Sequence, residues 1–360
     1  MSQGKITASF GPNPEFTRHS EGDFIRLKDG RILFVYSRFT GGARDDSPSD
    51  LAASYSSDEG ESWTEPVTFI KAQDLGVRNI MSVSLMHMAN GDLGVFFLKK
   101  EPLLFTRPVL MRSSDEGKTF SAPAYCDTPQ STAYLVVNNM RVIRLEHGPH
   151  AGRILIPAAK HGGVGIGDDI SHLDFRSSVI FLYSDDDGRT WKLSPCELFA
   201  PFTHTKTGLQ EPGVVELSDG SLYGYARTDQ FCQYEFRSFD GGLHFTLPEA
   251  SRFSSPPSPM KIVRCPADQS FLALWNPVPL YNGRALTKAG WGRTPFVMAK
   301  STDEGLSWSD PEIIEDDPDC GYCYPAAFFT EDASLLLAYC AGGASDGSCL
   351  ARLNIQKLHL

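Results

Sequence analysis

The chain has 360 residues, 41% of them hydrophobic, enough for a large buried core and, by length alone, for two or three domains. A formal net charge of -11 and a pI near 5.3 exclude nucleic acid and anionic membrane as natural partners, because both ask for a basic surface. No apolar run is long enough to cross a bilayer, so no membrane insertion is expected. The opening Met1-Ser2-Gln3-Gly4-Lys5-Ile6 has no apolar core segment and no small-residue cleavage site, so a cytoplasmic protein is expected. Eight cysteines are too dilute for a disulfide scaffold and are read as reduced and buried.

In chain order, residues 5–10 form a first candidate strand. Phe24-Ile25-Arg26-Leu27 and Arg31-Ile32-Leu33-Phe34-Val35-Tyr36 then flank the turn Asp29-Gly30, a strand, turn, strand signature. Such turns recur at Asn90-Gly91, Gly152-Arg153, Asp219-Gly220, Ala267-Asp268 and Glu331-Asp332. Each of the first five is followed by the pattern Ser-x-Asp-x-Gly-x-x-aromatic. The copies begin at Ser56, Ser113, Ser184, Ser238 and Ser301, with their aspartates at Asp58, Asp115, Asp186, Asp240 and Asp303. The sixth turn leads to Leu335-Leu336-Leu337-Ala338-Tyr339 and to no sixth copy.

The motif has a physical basis as a hairpin turn: the Asp carboxylate accepts backbone N–H bonds and the Gly takes a positive φ. The intervals between the aspartates, 57, 71, 54 and 63 residues, suit four strands plus loops for each repeat. Six inner hairpins, five outer ones and no convincing helical periodicity predict an all-β, six-bladed β-propeller with four-stranded antiparallel blades. It would be a single domain over residues 1–360, its last blade completed by the N-terminal strand.

The five copies resemble the repeat of the sialidase (neuraminidase) superfamily over essentially the whole chain. The resemblance implies fold more firmly than chemistry, since non-enzymatic propellers carry the repeat too. In Gln210-Glu211-Pro212-Gly213, followed by Asp219-Gly220 and Tyr225-Ala226-Arg227, it implies the catalytic Glu at Glu211 and a carboxylate-binding Arg at Arg227. An ordinary salt-bridged pair at a strand end is the competing reading. In Trp291-Gly292-Arg293-Thr294-Pro295 it implies a second such arginine, Arg293. In Gly321-Tyr322-Cys323-Tyr324-Pro325 it implies the tyrosine nucleophile, Tyr324, with Tyr322 in reserve.

A phenol suits attack beside a substrate carboxylate, where an anionic Asp or Glu would be repelled, and Glu211 would serve as its base. The resemblance implies a general acid on the loop before the first copy, here 38–50, with Asp46 first and Asp45 second; adjacent acids raise each other's pKa, which suits that role, and a solvated acidic loop is the competing reading. The resemblance fails at the first strand. Sialidases carry an Arg-Ile-Pro motif there, and this chain reads His19-Ser20-Glu21-Gly22, with Glu21 roughly at the arginine's place. Arg18, Arg38 or Arg44 would have to supply that charge; otherwise Glu21 binds hydroxyls of a sugar without a carboxylate.

The expectation is therefore a retaining exo-glycosidase without cofactor or metal, acting on a carbohydrate or glycoconjugate with sialic acid as first candidate. The alternatives are a glycosidase for a different sugar and a non-catalytic carbohydrate-binding propeller. Cys320-Gly321-Tyr322-Cys323 has no second pair nearby and is read as structural. His161, after an apolar run, is read as structural or facing solvent.

Overall fold

Each of the five Ser-x-Asp-x-Gly segments folds into the same hydrogen-bonded turn in the computed structural model, which describes residues 4–101, 105–163, 170–278 and 287–359. Residues 1–3 of the N-terminal stretch read above lie outside the described residues. In the first turn, Ser56 Oγ donates to Asp58 Oδ1 at 2.8 Å and accepts from the Gly60 amide at 2.9 Å. Asp58 in turn accepts from the amide and hydroxyl of Ser62 at 2.9 and 2.5 Å. The other four copies repeat these bonds, with Thr119, Thr190, His244 and Ser307 in the place of Ser62.

Two successive residues of each turn take positive φ, as at Glu59 (55°) and Gly60 (82°). In three of the four copies where the first of the two is acidic, an arginine from the end of an earlier strand clamps it: Arg26 on Glu59, Arg144 on Asp187 and Arg264 on Glu304, each at 2.7 Å. In the second copy that residue is Glu116, and the leading strand ends in His87. In the fourth copy that residue is Gly241, and the strand ends in Glu216 instead of arginine.

The chain forms two units. One comprises Met1–Asp74 and Ser254–Leu360, the other Leu75–Phe253. In the first unit, β2 (Arg18–Arg26), β3 (Ile32–Phe39), β4 (Ser49–Ser56) and β5 (Val67–Ile70) make one antiparallel sheet. A second contains β19 (Lys261–Arg264), β20 (Phe271–Trp275), β21 (Phe296–Ser301) and β22 (Glu312–Glu315). A third has β23 (Cys323–Phe329), β24 (Ser334–Cys340), β25 (Leu353–His359) and, at its edge, β1 (Lys5–Phe10) paired antiparallel with β25.

The continuous apolar runs are central strands buried on both faces. Residues 32–36 of β3 and 335–337 of β24 have essentially no exposed surface. Rings join the sheets across their faces, Phe24 to Phe328 at 6.1 Å and Phe296 to Tyr339 at 5.1 Å.

In the second unit, β15 (Gln210–Glu216), β16 (Leu222–Arg227), β17 (Cys232–Ser238) and β18 (Glu249–Ser254) form a four-stranded antiparallel sheet. Its Phe236 and Leu222 pack with Phe181 and Leu155 in one core. The remaining strands are joined into one sheet and not two. In it, β6 (Ile80–His87), β7 (Leu93–Glu101) and β8 (Phe105–Ser113) lead to β10 (Tyr134–Val136), β12 (Ile154–Gly163), β13 (Leu173–Ser184) and β14 (Lys192–Leu198), with β9 (Ala124–Tyr125) beside β8 and β11 (Ile143–Arg144) beside β12. The junction is a single parallel pairing, Tyr134 with Thr106.

The physical reason is that the strand expected here is broken into the short β10 and β11 by residues 137–142. Its leading piece is left free to pair with β8. Among the described residues the hydrogen-bonded sheets therefore number five. No helix of the described residues is long and apolar enough to cross a membrane.

Candidate active site

Four leading strands carry the same defect at the same place. In β2, β6, β15 and β23 one extra residue is inserted between Ser20 and Asp23, Met81 and Ser84, Gln210 and Gly213, and Cys323 and Ala326. The first of the two residues inside each bulge lies in the left-handed region: Glu21 at φ 58°, Ser82 at 61°, Glu211 at 50° and Tyr324 at 54°. Such a backbone costs a non-glycine residue about 1–2 kcal/mol, and a bulge re-aims the side chain it carries. Each stands nine residues before the positive-φ residue of its hairpin turn, Gly30, Gly91, Gly220 or Ala333. Glu21, Glu211 and Tyr324 are thus one repeat position filled by two chemistries, carboxylate and phenol, and Ser82 is a fourth copy that motif reading passed over. Counting back nine residues from each turn finds it.

In the second unit, Arg227 ends β16 opposite Gln210 and donates from one terminal nitrogen to Glu211 Oε2 and from the other to Gln210 Oε1, both at 2.6 Å. Both charged side chains are mostly buried. Next to them Arg141, 3% exposed, donates to the Tyr225 hydroxyl at 2.7 Å. Gly213 allows this approach, because a Cβ there would lie 2.5 Å from that hydroxyl and 2.6 Å from Arg141 Nη1. Arg141 belongs to no motif, and a glycine two residues after Glu211 is its only trace in the sequence. His161 is buried in the same unit and bonded to the Asp174 carbonyl at 3.1 Å. Burial pushes its imidazole below the ordinary value, and Arg227 and Glu211 are both close enough to act on it.

In the first unit, Tyr324 lies against Arg293, whose guanidinium stands 5.6 Å from the phenol ring centre and 5.0 Å from that of Trp291. Arg293 is 3% exposed and donates to the Pro257 carbonyl at 3.2 Å. Its own carbonyl accepts from Asn276 at 3.0 Å and from the Tyr322 amide at 2.8 Å, which ties the loop to the start of β23. Tyr322 itself is buried, its phenol pushed well up by burial and by Glu315. Beneath Tyr324 sit three buried thiols, Cys323, Cys340 and Cys349. All eight cysteines are free, and no group of residues able to hold a metal occurs among the described residues.

The arginine missing from the first strand has a neighbour in its place. Arg18, fully buried, bonds Asp45 at 2.6 Å and stands 3.5 Å from Glu21. Burial opposes its charge, and Asp45 and Glu21 more than offset that, so the guanidinium stays ionised. Asp46 instead pairs with Arg44, two residues before it, at 3.0 Å. The acid brought to the buried cluster is Asp45. Arg38 is engaged elsewhere, over the Phe16 ring at 4.0 Å and bonded to Thr68 at 2.6 Å. Glu21 and Arg18 act electrostatically on Cys340, which lies opposite Cys323 in the adjoining strand. The β2 cluster and the Tyr324–Arg293 pair therefore flank the same thiols.

Comparison with known proteins agrees with this architecture. The family model described as a BNR repeat-like domain matches residues 41–337. An anhydrosialidase of Macrobdella decora is 30% identical over 132 residues, 36% of this chain but only 15% of that protein's length. Among solved structures, a protein of unknown function from Dyadobacter fermentans DSM 18053 superposes with a TM-score of 0.72 at 20% identity, covering 99% of this chain and all of the other. A leech intramolecular trans-sialidase complexed with 2,7-anhydro-Neu5Ac superposes with a TM-score of 0.68 at 16% identity, over 99% of this chain and 70% of that one. With its repeated turns and this match over most of its length, the chain belongs to the BNR repeat-like family of the sialidase superfamily.

Proposed function

We propose that the chain is a retaining exo-glycosidase of sialidase type, folded as a six-bladed propeller, that removes a terminal sugar from a glycoconjugate. Tyr324 is the nucleophile on this reading, Glu211 the base that takes its proton, and Asp45 the acid that protonates the departing oxygen. The phenolate oxygen then bonds the anomeric carbon as the glycosidic bond breaks, and water later releases the sugar with retention. Arg227 and Arg293 bind the substrate beside that carbon.

One observation carries the reading: a phenol and a carboxylate occupy the same strained bulge in two different sheets, each with a guanidinium group against it. Backbone strain repeated at one register, on residue types able to do this chemistry, is an expected mark of a catalytic position.

Sialic acid is the first candidate, because two guanidinium groups suit a carboxylate. A second reading, hydrolysis of a sugar without a carboxylate, is favoured by Glu21. It fills a third copy of the bulge, and with Asp45 it outweighs Arg18 by one negative charge. The test is release of 4-methylumbelliferone from the α-sialoside and from a panel of neutral glycosides by the wild type and Tyr324→Phe. Turnover of the sialoside, with kcat reduced about 100-fold or more in the variant and KM little changed, supports the proposal. Turnover of neutral glycosides alone moves it to the second reading. No turnover of any substrate removes the catalytic role and leaves a carbohydrate-binding module.

A further inference from the structure

The second unit holds a cleft of about 810 Å3, within the range usual for small-molecule sites. It is bounded by β12, β13 and the chain between β14 and β15, and none of the catalytic side chains proposed above lines it. Its walls combine two kinds of surface. Phe105, Phe199 and Phe202 supply aromatic faces, Phe199 keeping 65% of its surface exposed, while Tyr134 is buried in the wall. Two exposed rings beside polar groups, as Phe105 and Phe199 are here, mark a binding surface more often than a folding need.

Among the rings stands a polar trio. Ser178 donates to Glu197 at 2.5 Å, and Lys160 approaches the same carboxylate at 3.3 Å. Both members of that ion pair remain about one-third exposed, so the pair adds little to stability and its remaining donors and acceptors can be reached from the cleft. The buried His161 forms part of the wall and also feels the charges of Glu211 and Arg227. The cleft therefore adjoins that pair within one unit.

We propose that this cleft binds a neutral saccharide, the portion of a glycoconjugate to which the terminal sugar is attached. A sugar ring presents apolar C–H faces that lie on aromatic rings, together with hydroxyls that both donate and accept. Phe105 and Phe199 meet the first demand, Lys160 and Glu197 the second. A purely apolar ligand would desolvate the Lys160–Glu197 pair without compensation, and a strongly charged one gains no net attraction, because Lys160 is offset by Glu197 and Arg176 by Asp174. The direction of attachment rests on the glycosidase reading, through the proximity to Glu211; the binding itself does not.

The test is saturation-transfer NMR with lactose, N-acetyllactosamine, cellobiose and maltose on the wild type, Phe199→Ala and Glu197→Gln, with the distant exposed Phe239→Ala as control. At least one disaccharide should bind the wild type and the Phe239 variant, with the signal reduced at least tenfold in the two cleft variants. No binding of any disaccharide, or binding indifferent to both cleft substitutions, overturns the inference. Turnover of methylumbelliferyl glycosides is scored separately. An enzyme that turns these over yet binds no disaccharide loses the cleft assignment and keeps its catalytic one, whereas a protein that binds disaccharides without turnover does the reverse.

Discussion

Arg227 spans the bulge of β15, one terminal nitrogen on Glu211 and the other on Gln210, each at 2.6 Å. Removing one partner of a buried ion pair leaves the other charge without compensation, at a cost of about 3–5 kcal/mol. Arg227→Met should therefore lower the urea midpoint markedly. The double variant with Glu211→Gln should be less destabilised than the two single changes added together. Arg227→Lys keeps the charge but not the two-pronged geometry, and should fall between. An Arg227→Met protein within about 0.5 kcal/mol of wild type would show that the pair is solvated and not structural.

The proposal of Asp45 as the acid rests on its position: the Arg18–Asp45 bond draws one of two neighbouring carboxylates to the buried cluster beside Glu21, and that bond must open for the carboxyl to carry a proton. If the enzyme is active, Asp45→Asn should slow substrates with poor leaving groups by about 100-fold or more and aryl glycosides much less, since an aryl oxide departs without full protonation. Asp46→Asn should leave that ratio near the wild-type value. Equal sensitivity of both variants, or loss at Asp46 alone, would return the role to Asp46.

The repeat was legible in sequence because its turn is local. The Ser hydroxyl, the Asp carboxylate and a positive-φ glycine must fall at fixed spacing to close the bonds seen from Ser56 to Ser301. Tyr324, Glu211 and the two arginines were reached through family resemblance, and the structure adds that Glu21 and Ser82 share their backbone position. The sequence favours Asp46 over Asp45, because the partner that draws Asp45 inward, Arg18, lies 27 residues away and leaves no local trace. The merged nine-stranded sheet was equally hidden. A three-residue strand such as 134–136 has too little periodicity to read, and its partner is chosen by a break in the chain.

Ala333 offers a test of the turn register. It takes φ 60° at the place where the equivalent hairpins have Gly30, Gly91 and Gly220, at 81–89°. The left-handed conformation costs an L-residue about 1–2 kcal/mol, part of which glycine gives back through its freer unfolded chain. Since Ala333 is exposed and its methyl group has little packing to lose, Ala333→Gly should raise stability by roughly 0.5–1 kcal/mol in urea unfolding. A lower midpoint would show that this hairpin does not follow its siblings.

His19 governs a window of acid sensitivity. Burial, and then the charges of Arg38 and Arg352, pull its imidazole down to about 4 in the folded chain. Above pH 6.5 neither the folded nor the unfolded state protonates the ring, and the full stability is present. As pH falls from about 6.5 toward 4, the unfolded chain takes up a proton that the folded one refuses, so stability declines. The loss from this residue between pH 7.5 and 5 is about 2 kcal/mol, and the depressed His161 adds to it in the same sense. His19→Gln retains a polar partner for the Tyr36 hydroxyl, which now lies 3.2 Å from the ring nitrogen, and has no proton to exchange in that range. The difference in unfolding free energy between pH 7.5 and 5 should shrink accordingly in this variant. An unchanged difference would mean that the ring accepts its proton without leaving the fold, and that the acid response belongs to other groups.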